Sequence, residues 1–563
     1  MRLNFKPNAE YGVAALTSAF IAVFALLPLS QLVLGVATEL LGNNRPQLLA
    51  NLQSSSTLTA TWHSIEVSVM GALLATVYGT LMASVLTLTN LRWRNLLVYA
   101  FVMQAILPPQ VVALAWLQIW APLKHYLVAS GWESWAAYSN PLQSREGIIV
   151  LLGLHYAPLV FLSVRAGLLN VPADVIEAAR VAGAMPRTVL LRIIWPLITP
   201  ALAAGTALAF VSCVGNFGIP AFLGIPADYL VLPTLIYREL SGFGPSAIST
   251  ATMLSMLAGG LAALGIVLQH TVAKRGHYKV LAHRMSKPPF VLGRGKAMLE
   301  FTLLFWVLAL LVAPLLALAA RSITPAPGVP LSWETATAEH YAYVLFDNGS
   351  TLRAFVNSTA MAVAAAGVLS VAAFFLAYLI EYRRHPLLKR LDYLIDLPYA
   401  IPGVVLSIAL ILLYLKPVFG ISIYNTLIII FIAYQARFLT IQLRPIIGGF
   451  QQLPKEMLEA AEVFGAPFFR RMKEVVLPLL LPSITAGAVL VIMLAMNELT
   501  VSALLWSTGA ETLGVVVFSL EQGGESAAAA AMAVLAVLLI NILMCIASLA
   551  GRKLPSGVLP WRA

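Results

Sequence analysis

The sequence predicts an all-α membrane protein of about twelve transmembrane helices, arranged as two parallel six-helix repeats. Three observations lead to this prediction. The composition is very apolar, long apolar runs recur along the chain, and one segment occurs twice in related form. A water-soluble fold does not account for the first two, because a soluble surface needs far more charge than this chain carries.

The composition excludes most soluble classes of protein. Hydrophobic residues make up 60% of the 563 residues, charged residues only 10%, and the mean hydropathy is +0.87. The net charge of +11 comes from basic residues clustered in short segments between apolar runs. That pattern is typical of topology signals in membrane proteins. We therefore expect membrane lipid around the chain and no nucleic-acid partner.

The apolar runs place the predicted spans. A bilayer core requires about 20 apolar residues per helix. Twelve runs meet this length, at 11–36, 63–88, 96–119, 147–168, 197–219, 247–271, 299–319, 356–380, 393–415, 423–446, 479–505 and 527–549. Lysine and arginine are concentrated in alternate connections, which predicts a multi-pass protein with both termini in the cytoplasm.

A basic linker divides the chain near its middle. Residues 273–298 carry several lysines and arginines and separate a first six-span half, 1–272, from a second six-span half, 299–563. An even number of spans in each half means that both halves enter the membrane in the same direction. The predicted repeat is therefore parallel, with a pseudo-two-fold axis along the membrane normal.

The repeat itself lies at 172–205 and 454–487, a shift of 282 positions. Without any gap, the two copies share a Glu-Ala-Ala triplet, a glycine six residues after the glutamate, and three prolines. An upstream match needs a shift of 294 and pairs LPPQVVALAW (107–116) with IPGVVLSIAL (401–410). Duplication is the simplest account of both matches.

The repeated segment predicts a helix, a sharp bend and a second short helix on the cytoplasmic side of each half. A first proline suits a first helical turn, a glycine suits the left-handed conformation that ends a helix, and a later proline suits the next helix start. These residues are Pro172, Gly183 and Pro186 in one copy and Pro454, Gly465 and Pro467 in the other. We call residues 172–194 the first elbow and residues 454–476 the second elbow.

These residues resemble the EAA motif of permease subunits of ABC importers. In that family the motif forms a cytoplasmic coupling helix that sits in a groove of the ATPase subunit, and the fold is that of a type I importer permease. The resemblance therefore implies ATPase coupling for Glu177, Ala178, Ala179, Gly183, Glu459, Ala460, Ala461 and Gly465. One departure is mild: Trp195–Pro196 stands where Leu-Pro is usual, and Leu477–Pro478 keeps the usual pair.

The resemblance covers nearly the whole chain and narrows to the ferric-iron permease group. It includes GNFGIPAFLGIPADYLVLPTLIYREL after the fifth span and NELTVSALLW after the eleventh. It implies iron(III) as the substrate, with thiamine, 2-aminoethylphosphonate or a polyamine as alternatives within the same class. It also implies a bacterial inner-membrane location.

The chain has no phosphate-binding loop of the form G-x-x-x-x-G-K-[ST]. We therefore expect no catalytic residues, no metal site and no cofactor bound by this chain. ATP is expected on a separate ABC ATPase subunit, in two copies to serve two elbows. A periplasmic or lipid-anchored solute-binding protein is expected as a further chain.

Polar residues inside the predicted spans are candidates for a translocation path, because they are costly in lipid. The shift of 282 aligns Asn216 with Glu498, Gly215 with Asn497, and His155 with Arg437. Glu498 is expected either to pair with Arg437 or to face a cationic substrate. In the alternative interpretation, Asn216 and Glu498 lie at the water interface, and His155 and Arg437 bond to backbone or to each other's helices.

Two other functions fit parts of the sequence. An ion-coupled secondary transporter fits the composition and the two parallel halves, but it has no use for a duplicated cytoplasmic element. A membrane enzyme would need a cluster of His, Asp or Glu residues at a membrane face, and the sequence shows none.

Overall fold

The computed structural model describes residues 8–550, except 42–44, 132–139, 243, 245, 276–287, 327–328, 330 and 418–419. The regular secondary structure of the described residues is helical, apart from one isolated bridge between Thr89 and Phe290. Both chain ends and much of the predicted linker fall outside these residues. The predicted all-α class is confirmed.

Within the described residues, eleven helices are long and apolar enough to cross a membrane. Leaving aside 96–119 and 393–415, they overlap all ten of the other predicted spans. They are Ala9–Thr38, Ser55–Leu88, Pro109–Val128, Arg145–Leu169, Pro186–Gly215, Ala247–Leu268, Lys296–Ser322, Gly349–Tyr382, Leu427–Gln451, Phe468–Met496 and Ser526–Ile546.

The predictions of continuous spans at 96–119 and 393–415 are wrong. The first divides into helices Arg94–Ile106 and Pro109–Ala129. The second divides into Pro386–Ile395, a single turn at Leu397–Ala400 and the helix Gly403–Tyr414. Both breaks precede a proline, which lacks an amide hydrogen and drives the preceding residue out of helical geometry.

The two breaks occur at equivalent positions of the upstream repeat. Leu107 and Ile401, which the shift of 294 aligns, both adopt extended backbone, with ψ of 136° and 142°. The spans predicted at 197–219 and 479–505 also end early, at Gly215 and Met496. A short helix follows each of these ends, namely Gly218–Leu223 and Ser502–Leu505.

The chain forms two compact units that do not follow the two sequence halves. One, the first-elbow unit, comprises Pro46–Tyr343 and Leu520–Val534. The other, the second-elbow unit, comprises Met1–Arg45, Val344–Ser519 and Leu535–Ala563. The first helix of each sequence half therefore belongs to the unit that holds the other half's elbow.

We call the first helix of each sequence half an exchanged helix, and the divided spans at 96–119 and 393–415 broken spans. Each exchanged helix packs on the broken span of the unit to which it belongs. In the second-elbow unit, Leu27–Leu41 packs on Gly403–Tyr414. In the first-elbow unit, Ala313–Ser322 packs on Pro109–Ala129. A broken helix exposes backbone that a neighbouring helix must cover in a membrane. The sequence predicted the linker as the boundary between the two halves. The compact units show in addition that each half contributes its first helix to the unit that holds the other half's elbow.

The core of the first-elbow unit depends on close helix packing between Ser55–Leu88 and Arg145–Leu169. A β-carbon built at Gly79 would lie 2.4 Å from the Ala157 carbonyl oxygen, and one at Gly153 would lie 2.0 Å from Leu74 Cδ2. Glycine at helix contacts allows backbones to approach closely in membrane proteins. This pair of helices carries His155 and thus positions part of the site.

Candidate functional site

The two elbows have the same backbone geometry. Their helices, Ala173–Val181 and Lys455–Val463, begin and end at positions related by the shift of 282. The preceding prolines, Pro172 and Pro454, are the capping residues with ψ of 127° and 126°. They therefore lie just before the first turn, and the prediction that placed them within it is corrected by one residue.

Both elbow helices end at a left-handed glycine, as predicted. Gly183 has φ of +81° and Gly465 has φ of +76°. In the first elbow the Gly183 amide donates to the Arg180 carbonyl at 3.0 Å, and the Ala184 amide donates to the Ala179 carbonyl at 2.9 Å. The second elbow repeats both bonds one copy later. This pair of bonds is the Schellman motif, which needs positive φ at the glycine position.

The chain then re-enters the next span in the same register in both units. The single turns Pro186–Val189 and Phe468–Arg471 lead into π-helical segments, Leu190–Ile194 and Met472–Val476. Short π-helical segments in α-helices are frequent at functional sites. The predicted helix and bend are confirmed. The prediction of a separate second short helix is wrong, because the residues after each bend continue directly into the spanning helices Pro186–Gly215 and Phe468–Met496.

One face of each elbow helix is anchored and the other is open. Ile176 and Leu458 are buried, each at 2% exposure, and occupy matching positions. The triplet residues face outward: Glu177, Ala178, Glu459 and Ala460 are exposed, whereas Ala179 and Ala461 are partly buried. The open face is therefore presented by a helix whose other side is held in the unit.

Large apolar side chains are exposed beside both bends. Val181 is 90% exposed in the first elbow and Phe464 is 90% exposed in the second. Met185 and Val463 are also exposed. Both bends therefore expose large apolar side chains close to the exposed glutamates.

Glu498 lies where two broken helices cross in the second-elbow unit. Its carboxylate accepts hydrogen bonds from the Val501 amide at 2.9 Å and the Ser502 amide at 3.2 Å, at the start of the short helix Ser502–Leu505. The Thr500 hydroxyl also donates to it. A β-carbon at Gly403 would lie 2.1 Å from Thr500 Oγ1, which shows how closely the two breaks approach.

Arg437 joins both breaks at this crossing. Its Nε lies 3.6 Å from Glu498 Oε1, and its Nη1 donates to the Ile401 carbonyl at 3.4 Å. Ile401 ends the single turn before the broken span, so its carbonyl has no helical partner there. Arg437 thus neutralises one carboxylate and satisfies backbone at the other break.

The first-elbow unit repeats this crossing with neutral side chains. Asn216 Oδ1 accepts from the Ile219 amide at 2.9 Å at the start of Gly218–Leu223, and Asn216 Nδ2 donates to the Tyr156 hydroxyl at 2.7 Å. His155, aligned with Arg437, bonds to the backbone of Gln104. The shift of 282 therefore relates two capping side chains, Asn216 and Glu498, whereas His155 does not pair with Asn216 as Arg437 pairs with Glu498.

Burial shows how far protein covers these polar residues. Asn216 and Glu498 are 3% and 7% exposed, so protein encloses both side chains, and their placement at the water interface stays a prediction. Asn497 is also buried, and His155 and Arg437 do contact backbone as the alternative stated. A lining role for these five residues in a translocation path stays a prediction.

The sequence reasoning missed one charged cluster beside the second elbow. Glu10, Arg383, Glu462 and Arg471 converge there. Burial lowers the pKa of Arg383, but hydrogen bonding to Glu10 and the charges around it outweigh burial and raise that pKa above its usual value. The sequence offered one signal for this cluster: residue Glu462 is negative, whereas Arg180 at the aligned position is positive.

Within the described residues, no three or more His, Cys, Asp and Glu side chains lie together in a way that could hold a metal ion. The two crossings contain carboxylate, amide and imidazole groups, but these groups cap helices and pair with neighbours.

Two units of apolar spanning helices, each with one elbow of the same geometry, define a membrane permease built by duplication. The chain belongs to the family of binding-protein-dependent transport system inner membrane components, whose profile matches residues 75–275 and again 369–551. Members are permeases of ABC transporters, which work with an ATPase and a solute-binding protein and are not enzymes. The predicted class and its duplication are confirmed.

Several curated relatives resemble this chain at moderate identity. A ferric transport system permease protein of Actinobacillus pleuropneumoniae is 28% identical over 72% of this chain and 58% of its own length. An Fe(3+)-transport system permease protein of Haemophilus influenzae is 26% identical over 73% of this chain and 77% of its own. A spermidine/putrescine transport system permease protein of Escherichia coli is 28% identical over 39% of this chain and 80% of its own.

Proposed function

We propose that this chain forms the substrate path of an ATP-driven importer and couples to a separate ATPase through its two elbows. One observation carries the proposal: two elbows with the same Schellman bend, the same buried anchor and the same outward face. A connection that only joined two spans would not need this geometry twice. ATP belongs to the partner subunit in this proposal.

The outward faces suit docking into a groove. The exposed alanines allow close approach of another surface, the exposed glutamates offer fixed charge to a basic partner, and Val181 and Phe464 add apolar area. Two elbows call for two copies of the ATPase subunit. The buried anchors Ile176 and Leu458 keep each helix attached to its unit, so motion of the partner is passed to the spans.

The proposed topology places both elbows and both termini in the cytoplasm. It is supported by the alternation of basic and non-basic connections in the sequence. A periplasmic or lipid-anchored solute-binding protein then docks on the outer connections. Closure of the ATPase dimer on ATP draws the elbows together, the spans open outward to receive substrate, and hydrolysis resets them.

Iron(III) is the proposed substrate. Support comes from the names of the Actinobacillus and Haemophilus relatives, which cover more of this chain than the Escherichia polyamine relative does. Thiamine, 2-aminoethylphosphonate and polyamines are the alternatives. Because no metal-holding group occurs in the described chain, selectivity is assigned to the binding protein. Competition among these solutes in an uptake assay tests the assignment, and uptake blocked by thiamine but not by iron(III) would overturn it.

The coupling role is tested by Gly183→Asp combined with Gly465→Asp. Both glycines face open space, so the new carboxylates project into the docking surface. We expect loss of ATPase co-purification and of uptake. Gly131→Asp is the matched control, because Gly131 also has φ of +81° and open space around it but lies in a predicted outer connection.

Retained assembly and uptake in the double variant would refute coupling through the elbows. The secondary-transporter alternative is tested separately with the purified chain in vesicles. Uptake driven by an ion gradient without any ATPase would favour that alternative.

A further inference from the structure

Four charged side chains beside the second elbow form a closed network. Arg383 Nη2 lies 2.6 Å from Glu10 Oε1 and 3.1 Å from Glu462 Oε1. Arg471 lies 3.3 Å from Glu10 through Nη2 and 3.0 Å from Glu462 through Nη1. Each carboxylate therefore faces both guanidinium groups, and the formal charges cancel.

The network is partly buried and has a neutral member. The Arg471 side chain is only 6% exposed, so its charge depends on these carboxylates for compensation. The buried Tyr378 hydroxyl donates to Glu10 at 3.1 Å and accepts from Arg383 Nε at 3.0 Å. Glu10 thus receives hydrogen bonds from three different side chains.

Four elements of the unit meet in this network. Glu462 is on the elbow helix, Arg471 follows the bend, and Arg383 follows the span Gly349–Tyr382. Glu10 comes from Asn8–Ile21, the start of the exchanged first helix. The contacts therefore link the elbow helix to the helix that follows the bend, and link both to the start of the exchanged helix through Glu10.

The first elbow is held at the aligned position by a different chemistry. Arg180, which the shift of 282 aligns with Glu462, donates through Nη1 to the Pro289 carbonyl at 3.0 Å. The segment 288–292 is itself bound, because the Phe290 amide donates to the Leu88 carbonyl at 3.0 Å and the Leu292 amide donates to Asn90 Oδ1 at 2.9 Å. This segment leads into Lys296–Val307, the start of the other exchanged helix.

We propose that the N-terminal ends of the two exchanged helices are latches that position the elbows, with Glu10 holding the second elbow through Arg383 and Arg471 and segment 288–292 holding the first through Arg180. Glu10 is a positioning residue in this scheme. The consequence for transport rests on the proposed function: an elbow that has lost these contacts moves with the ATPase without moving the spans, so ATP is hydrolysed with less uptake. The contacts that form each latch do not depend on the proposed function.

Hydrogen exchange of the purified full chain in lipid nanodiscs tests the latch without any ATPase. Losing a charge-assisted hydrogen bond corresponds to about tenfold or more in a local opening equilibrium. Glu10→Gln is expected to speed exchange of amides 455–466 about tenfold and to leave amides 173–184 unchanged. Arg180→Gln is expected to do the reverse.

Two further variants keep the result interpretable. Glu474→Gln is the matched control, since it removes the exposed ion pair of Glu474 with Arg470 in the same elbow, outside the four-residue network, and is expected to change neither set of amides. Glu462→Gln opens the network from the elbow side if Glu10→Gln fails to fold. Exchange at 455–466 equal to that of the parent chain in both Glu10→Gln and Glu462→Gln would overturn the latch.

The transport arm separates this proposal from the coupling proposal. In the assembled transporter, Glu10→Gln is expected to retain the ATPase and to lower the ratio of substrate moved to ATP hydrolysed. Faster exchange with an unchanged ratio would leave the latch standing and refute coupling through the second elbow. An unchanged exchange rate would refute the latch whatever the ratio.

Discussion

Glu498 and Arg437 form an ion pair at the crossing of two broken helices, with 3.6 Å between Glu498 Oε1 and Arg437 Nε. The same carboxylate accepts the Val501 and Ser502 amides, and the same guanidinium donates to the Ile401 carbonyl. The pair therefore satisfies backbone at both breaks. In a membrane, where no water replaces these partners, such capping allows a broken helix to persist.

Removing one member of this pair is expected to destabilise the second-elbow unit. Glu498→Ala leaves the Arg437 side chain, which is only 16% exposed, without its carboxylate partner, and this costs up to about 3 kcal/mol. Thermal unfolding of the purified chain measures this loss. Glu498→Gln keeps an acceptor for the amides and is expected to cost less. A Glu498→Ala variant as stable as Glu498→Gln would contradict the capping role.

Uptake by Glu498→Gln addresses the predicted translocation path. With normal expression and normal ATPase stimulation, reduced uptake is expected if Glu498 acts on the substrate. Unchanged uptake would remove Glu498 from the transport mechanism and leave its structural role intact.

Asn216 is expected to tolerate removal better than a change to a carboxylate. Asn216→Ala loses the bonds to the Ile219 amide and the Tyr156 hydroxyl, at about 1 kcal/mol each. Asn216→Asp places a buried charge where His155, not arginine, occupies the position aligned with Arg437. Thermal midpoints of the two variants compare these costs. An aspartate variant at least as stable as the alanine variant would show that the two crossings are electrostatically equivalent.

Close helix packing predicts opposite effects for two glycine-to-alanine changes. At Gly79 the new methyl group would meet the Ala157 carbonyl oxygen at 2.4 Å, and overpacking of this kind costs about 1–3 kcal/mol. At Gly367, also within a spanning helix, no atom lies within 4 Å, so alanine is expected to add up to about 1 kcal/mol through helix propensity. Equal thermal shifts in the two variants would be inconsistent with this packing.

Acid is expected to weaken the loop that carries Glu511. Burial raises the pKa of Glu511, but hydrogen bonds from Arg353 and the Gly509 amide outweigh burial and hold the pKa below the ordinary 4.5. A depressed folded pKa contributes stability that is full above pH 4.5 and is lost as the pH falls through the lowered value. The difference in thermal midpoint between the parent and Glu511→Gln should be constant at neutral pH and shrink in acid. A difference that grows as the pH falls would reverse the sign of this linkage.

Much of the fold is local in origin and therefore readable from sequence. Apolar runs long enough for a bilayer predicted the spans, and the conformation of Gly183 and Gly465 followed from the lack of a β-carbon. The two broken spans were predicted as continuous, although both prolines were visible. Hydropathy averaged across each break hid them, because Pro108 and Pro402 are flanked by apolar residues on both sides.

By itself, the sequence determined the membrane class, the duplication, the elbow geometry and the alignment of Asn216 with Glu498, since each depends on residue type and spacing along one stretch of chain. Only the tertiary structure decided that each first helix joins the unit holding the other half's elbow, and that Glu10 meets Glu462. Those contacts join residues far apart in sequence. Their energy comes from burial, charge pairing and backbone capping, which no local pattern encodes.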